Sequence, residues 1–110
     1  MLVNCVAYQN GRKLADIAIE DISEYVSRPD CFVWVAVQNP AEGELDQLAE
    51  EFGLHELAVE DAKRPHQRPK LDEYGEDLFA VLRSVERESE DGELIEGQVA
   101  VFVGRNYVLS

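Results

Sequence analysis

The 110-residue sequence has no long hydrophobic run, two cysteines, two histidines and few basic side chains, and each shortage excludes something. The longest unbroken apolar stretch, Cys31 to Val37, is seven residues, whereas a membrane-spanning helix needs about 20. Met1-Leu2-Val3 has no basic start and the chain turns polar at Asn4, so no cleavable signal peptide is expected. Cys5 and Cys31 lie 26 positions apart with no CxxC and no histidine pair nearby, which is not a zinc spacing. Both fall in apolar, strand-like segments and are expected as buried thiols in a reducing compartment, with a disulfide between adjacent strands left open. There is no GxSxG, no glycine-rich phosphate loop and no HExxH. His55 and His66 are eleven apart, and neither cysteine has a recognisable base beside it. No enzymatic role and no organic cofactor are expected.

The shortage of bases is the largest imbalance. Lys plus Arg number 10 and Asp plus Glu number 23, so the net charge is 10 − 23 = −13. Such a chain repels phosphate backbones and anionic lipid, so nucleic acid is not an expected partner, whereas metal cations and basic proteins are. Solubility accounts for the same charge equally well. The acids are unevenly placed. Glu20 to Asp61 holds twelve acids and one base, Arg28, whereas Lys63 to Lys70 holds four bases, His66 and no acid.

With 45% hydrophobic residues, the chain is long enough and apolar enough for one domain over residues 1–110. Leu2 to Tyr8 reads as a strand, Asn10-Gly11 as a hairpin turn, and Leu14 to Ile19 as the returning strand. Asp21 is placed to cap a short helix with Ile22, Tyr25 and Val26 on one face, broken by Pro29-Asp30. Phe32 to Val37 is apolar at both alternating sets, which predicts a strand covered on both faces. Asn39 as cap and Pro40 in the first turn predict a helix running to Phe52. Its inner stripe would be Ala41, Leu45, Leu48, Ala49 and Phe52, its acidic face Glu42, Asp46, Glu50 and Glu51, and its stop Gly53. A second short helix is expected over His55 to Ala62, with Leu57, Ala58 and Val59 inward. Pro65 and Pro69 should then hold Lys63 to Lys70 extended. Strands are predicted at Leu78 to Val85, Leu94 to Val103 and Tyr107 to Leu109, with turns at Glu86–Glu93 and Gly104-Arg105-Asn106. The sequence stops at Ser110 inside an apolar stretch, which predicts that more chain follows. This order makes an α+β domain, a mixed β-sheet layered with helices, the helices falling between N-terminal strands and a C-terminal β-meander.

Three features bear on function. Glu60 and Asp61 sit at a helix C-terminus, where the macrodipole disfavours acids. A bound cation would relieve that misfit, and on spacing alone Lys63 and Arg64 relieve it more simply. His66-Gln67-Arg68-Pro69-Lys70 is basic and stiffened by proline, with no stacking aromatic inside, so it should fold back onto the acidic helices or onto a neighbouring chain. His55, just after Gly53, is placed to start the second helix.

Five pieces occur in order: Phe32-Val33-Trp34-Val35, Glu50-Glu51-Phe52-Gly53-Leu54-His55, Val59-Glu60-Asp61-Ala62, His66-Gln67-Arg68-Pro69-Lys70 and Tyr74-Gly75. Together with Leu78 to Arg83 and Val99 to Leu109, they resemble the N-terminal cytoplasmic domain of the CorA-type magnesium/cobalt transporter family across about the whole chain. Ala36 and Glu56 depart from that pattern. The resemblance implies a layered α/β/α domain of a pentameric, channel-like transporter at the cytoplasmic side of the inner (plasma) membrane. Mg²⁺ would be both regulator and cargo, with Co²⁺, Ni²⁺ or Zn²⁺ as further cargoes. Membrane contact would come only through a C-terminal segment beyond Ser110, which would also carry the Gly-Met-Asn pore signature. The resemblance further implies that Asp61, with Glu60 beside it, supplies half of a divalent site between subunits whose occupancy favours the closed pore. The other carboxylate would come from a long helix outside this sequence. His55, His66, Gln67, Arg68, Pro69 and Lys70 would serve structure or the interface. A related zinc transporter and a freestanding acidic module that binds a basic protein are the alternatives.

Overall fold

The structure is a computed structural model and describes residues 1–88 and 90–110. Position 89, inside the expected charged turn Glu86–Glu93, lies outside the described residues. Among the described residues, seven strands form one mixed sheet in the order β2-β1-β3-β7-β6-β5-β4. They are β1 (Leu2–Gln9), β2 (Arg12–Asp16), β3 (Cys31–Val37), β4 (Lys70–Tyr74), β5 (Asp77–Arg87), β6 (Leu94–Val103) and β7 (Tyr107–Leu109). Three α-helices are described, α1 (Ile22–Val26), α2 (Glu44–Phe52) and α3 (Glu56–Lys63). The fold is α+β with a mixed sheet, as expected, with β4 to β7 as the C-terminal meander; the described helices cover one face of it, so of the implied α/β/α layers two are present among the described residues. β3 and β7 pair in parallel, while the other neighbours pair antiparallel.

Register sorts the side chains into two faces. Cys5 lies opposite Val35, Val35 opposite Leu109, Leu109 opposite Phe102, and Phe102 opposite Phe79. Because strand side chains alternate, this row and its i±2 partners form one inner face. Ile22 of α1, Leu48 and Phe52 of α2 and Ala58 of α3 close over it. Ile22, Leu48, Val33, Val35, Phe79 and Val81 are fully buried. Each such side chain contributes about 1.5–3 kcal/mol relative to an exposed one.

Several expectations need correction. β2 ends at Asp16, and a single 3₁₀ turn over Ile19–Asp21 leads into α1. Asp21 precedes α1 but makes no capping hydrogen bond. α2 begins at Glu44 and not after Asn39, because Asn39 and Gly43 both take positive φ, 46° and 81°, and turn the chain before the helix can start. In β3, the inward Cys31, Val33 and Val35 are buried, but Phe32 and Trp34 remain 38% and 40% exposed, since no described helix lies on the outer face. Tyr8, Phe32, Trp34 and Val108 there line an open cavity of about 680 Å³. Leu57 of α3 points outward, whereas Ala58 and Val59 turn in. β4 is a strand the sequence reading did not anticipate, joined to β5 by a turn in which Gly75 takes φ 63°. Cys5 and Cys31 are buried free thiols. Burial, and then the Asp16 carboxylate, push the Cys5 thiol up to about 11.

Candidate functional site

The residues singled out by the sequence converge where the end of α3 crosses the inner face of the meander. α3 stops at Lys63 because Pro65 follows. Arg64, the residue before that proline, is extended, with φ −82° and ψ 129°. His66 then takes φ 56°, and the chain doubles back to enter β4 at Lys70. At the other end of the helix, His55 is the N-cap. Its Nδ1 accepts from the Leu57 amide at 3.2 Å, and its ring lies 4.6 Å from that of Tyr74.

The turnback is pinned by amides. Gln67 Nε2 donates to the carbonyl oxygens of Asp61 and Arg64, and the Gln67 backbone amide donates to Gln98 Oε1 at 2.9 Å. Gln98 Nε2 returns a bond to Arg64 O at 2.9 Å, and Arg83 Nε donates to Gln67 O at 3.0 Å. The Arg64 carbonyl is thereby satisfied by two side chains, and the Asp61 carbonyl, which already accepts from the Arg64 amide at 3.1 Å, gains a second donor.

Charge completes the site. Lys70 lies opposite Val81, and Asp72 opposite Phe79, so both β4 residues share the inner face with α3 above them. Lys70 Nζ donates to Asp61 Oδ2 at 2.5 Å and reaches Asp72 Oδ2 at 3.0 Å. Arg64 Nη1 stands 3.6 Å from Asp61 Oδ1. The Asp61 side chain keeps only 16% of its exposure, while that of Lys70 keeps 33%. Hydrogen bonds to Asp61 first, and then to Asp72, hold the Lys70 ammonium above the ordinary lysine range. Of the two cations expected to neutralise the helix end, Arg64 approaches Asp61, but Lys63 instead reaches Asp46 of α2 at 2.7 Å. Glu60 is exposed and makes no ion pair among the described residues. His66, Arg68 and Pro69 are exposed at the turn. Sequence reasoning missed Asp72, Arg83 and Gln98, because their proximity depends on β4 pairing with β5 and β5 with β6. The short run between Pro69 and Gly75 was the available signal.

Chemically, the site is a pair of hard oxygen donors holding one cation between them. That donor type suits Mg²⁺, which takes oxygen ligands and retains several waters. Among the described residues there is no cluster of three or more His, Cys, Asp or Glu able to enclose a metal. Asp61 and Asp72 are therefore at most part of a ligand set. No helix of the described residues is long and apolar enough to cross a membrane.

The family model described as CorA-like Mg²⁺ transporter protein matches residues 29–110. The chain is 34% identical over 88 residues to YfjQ of Bacillus subtilis, assigned as a metal ion transporter, which covers 79% of this chain and 26% of the relative. It is 34% identical over 65 residues to the cobalt/magnesium transport protein CorA of Thermotoga maritima, covering 59% of this chain and 18% of that one. The CorA magnesium transporter of Methanocaldococcus jannaschii has a similar fold, with a TM-score of 0.65, 15% identity, and coverage of 99% of this chain and 32% of that chain. The chain thus spans about a quarter or less of the curated relatives it matches.

Proposed function

This chain belongs to the CorA-like Mg²⁺ transporter family, and on that premise we propose that it is the cytoplasmic regulatory part of a divalent-metal transporter. The carrying observation is the family match across residues 29–110. In this reading the transporter moves Mg²⁺ and Co²⁺ and works as a homo-oligomer, a pentamer by the family resemblance, with membrane helices supplied by chain beyond Ser110.

The regulatory part of the proposal rests on charge. Copies of a domain with a net charge of −13 repel one another when packed side by side. A hydrated dication bridging two copies would offset that repulsion and favour the packed, closed arrangement. Asp61 is the carboxylate proposed to face it, with the exposed Glu60 alongside. A site of one or two carboxylates with retained waters is weak, which suits a sensor that must empty when cytosolic Mg²⁺ falls. Binding can shift the gate only by its differential affinity for the closed and open arrangements.

The test is ion flux through the full-length protein in vesicles, measured against Mg²⁺ on the cytoplasmic side. Asp61→Asn should need several-fold more Mg²⁺ for closure. An unchanged Mg²⁺ dependence in a folded Asp61→Asn protein would remove Asp61 from the sensor.

A further inference from the structure

A carboxylate that is only partly exposed and must bind and release a dication faces a difficulty in the empty state. Left alone, it would be a poorly solvated charge without a partner, which destabilises a fold. This chain provides a partner. Lys70 Nζ lies between two carboxylates on different elements, 2.5 Å from Asp61 Oδ2 of α3 and 3.0 Å from Asp72 Oδ2 of β4. It takes up one of the two oxygens through which Asp61 could meet a metal. It also comes from the basic run His66–Lys70, whose place next to an acidic helix end was legible in the sequence but whose purpose was not.

Resting on the reading that Asp61 faces a divalent cation, we propose that Lys70 is a built-in competitor for that cation, its ammonium holding Asp61 when the site is empty and leaving it when the site fills. Three features favour exchange over permanent pairing. The lysine is a compact charge on a flexible four-carbon stem, which can leave one oxygen for water without moving the backbone. Its side chain keeps a third of its exposure, so a path outward exists. The backbone around it is fastened separately, by the Gln67, Gln98 and Arg83 hydrogen bonds, so releasing the ammonium does not loosen the turn. When Lys70 swings out, Asp61 keeps only the longer contact to the exposed Arg64 at 3.6 Å, and Asp61 Oδ2 and Asp72 both become available on the same inner face. The competitor thereby lowers the apparent affinity, and it keeps Asp61 compensated whenever the metal is gone.

The probe is Mg²⁺ itself, added to the purified full-length protein, with the Mg²⁺-dependent rise in unfolding temperature as the readout. Lys70→Met removes the charge and keeps the stem, and Lys70→Gln serves as a second neutral variant in case the first folds poorly. Both should lower the Mg²⁺ concentration at half-effect by about two- to five-fold, the scale on which a partly exposed ion pair competes. Lys70→Arg keeps the charge and should not lower it. If the neutral variants leave the half-effect concentration unchanged or raise it, while Asp61→Asn raises it, Asp61 faces the cation but Lys70 does not compete, and this inference fails alone. If Asp61→Asn itself changes nothing, the reading beneath it fails as well.

Discussion

The inner face of the sheet is held in two different ways. Over β1, β3 and β7 it is closed by hydrocarbon, with Ile22, Leu48 and Phe52 pressed onto Cys5, Val33, Val35 and Leu109. Over β4 and the adjoining parts of β5 and β6 the buried Phe79, Val81 and Phe102 are flanked by charge and amide bonds, with Asp61, Lys70, Asp72, Gln67, Gln98 and Arg83 beneath the end of α3. The first half can only be packed or unpacked, since dispersion and burial have no alternative partner to offer. The second half can trade one partner for another at small net cost, because each ion pair and hydrogen bond exchanges readily with water or another ion. The proposed sensor would use both. A fixed platform keeps the carboxylate in place, and an exchangeable patch lets a cation come and go.

Truncating each half measures the difference. Leu48→Ala in the hydrocarbon half should cost about 2–5 kcal/mol in a urea unfolding experiment, since Leu48 is fully buried and a cavity would remain. Gln67→Ala in the polar half should cost less, about 1–2 kcal/mol, for the lost bonds to the Asp61 and Arg64 carbonyls. A Gln67→Ala cost equal to that of Leu48→Ala would erase the distinction. The smallest effect belongs to Tyr107, a polar group stranded in the hydrocarbon half. Its hydroxyl is buried without a hydrogen-bond partner. Burial, and then the nearby Asp77 carboxylate, push the phenol up to about 12. Tyr107→Phe should therefore change stability at neutral pH by less than about 1 kcal/mol, because no bond is lost. With a folded pKa above the ordinary tyrosine value of 10.0, Tyr107 contributes stability that is intact below pH 10 and lost as pH rises from there through about 12. Denaturant midpoints measured over that range should fall less steeply in Tyr107→Phe than in the wild type.

The legible and illegible parts of the fold separate along the same physical line. β1, β3, β5, β6 and β7 were readable because runs such as Phe32 to Val37 are β-branched and aromatic, and the Asn10-Gly11 hairpin and the Gly53 stop are local signals. β4 was not, because Lys70-Leu71-Asp72-Glu73-Tyr74 has no apolar alternation and becomes a strand only by pairing with β5. The start of α2 was misplaced because Asn39-Pro40 carries cap residues, whereas the backbone turn at Gly43 decides where the helix begins. Phe32, Trp34 and Leu57 show that an apolar residue declares its preference but not whether another layer is there to cover it. At the proposed site, the sequence singled out Asp61 and the two cations nearest to it in the chain, of which Arg64 approaches it and Lys63 does not. The ammonium that holds it most closely, Lys70, belongs to the basic run His66–Lys70, whose return onto the acidic helices the sequence led one to expect, while its choice of Asp61 is set by β4 pairing and not by local spacing.

The account turns on whether one carboxylate changes partners when metal arrives. The direct measurement is a pair of structures of the full-length protein, one with Mg²⁺ chelated and one at saturating Mg²⁺, read for the distance between Lys70 Nζ and Asp61 Oδ2. The account predicts contact in the chelated state, and in the saturated state a withdrawn Lys70 with a hydrated cation between Asp61 and the neighbouring subunit. Lys70 still bonded to Asp61 at saturating Mg²⁺, with the pore closed, would contradict it.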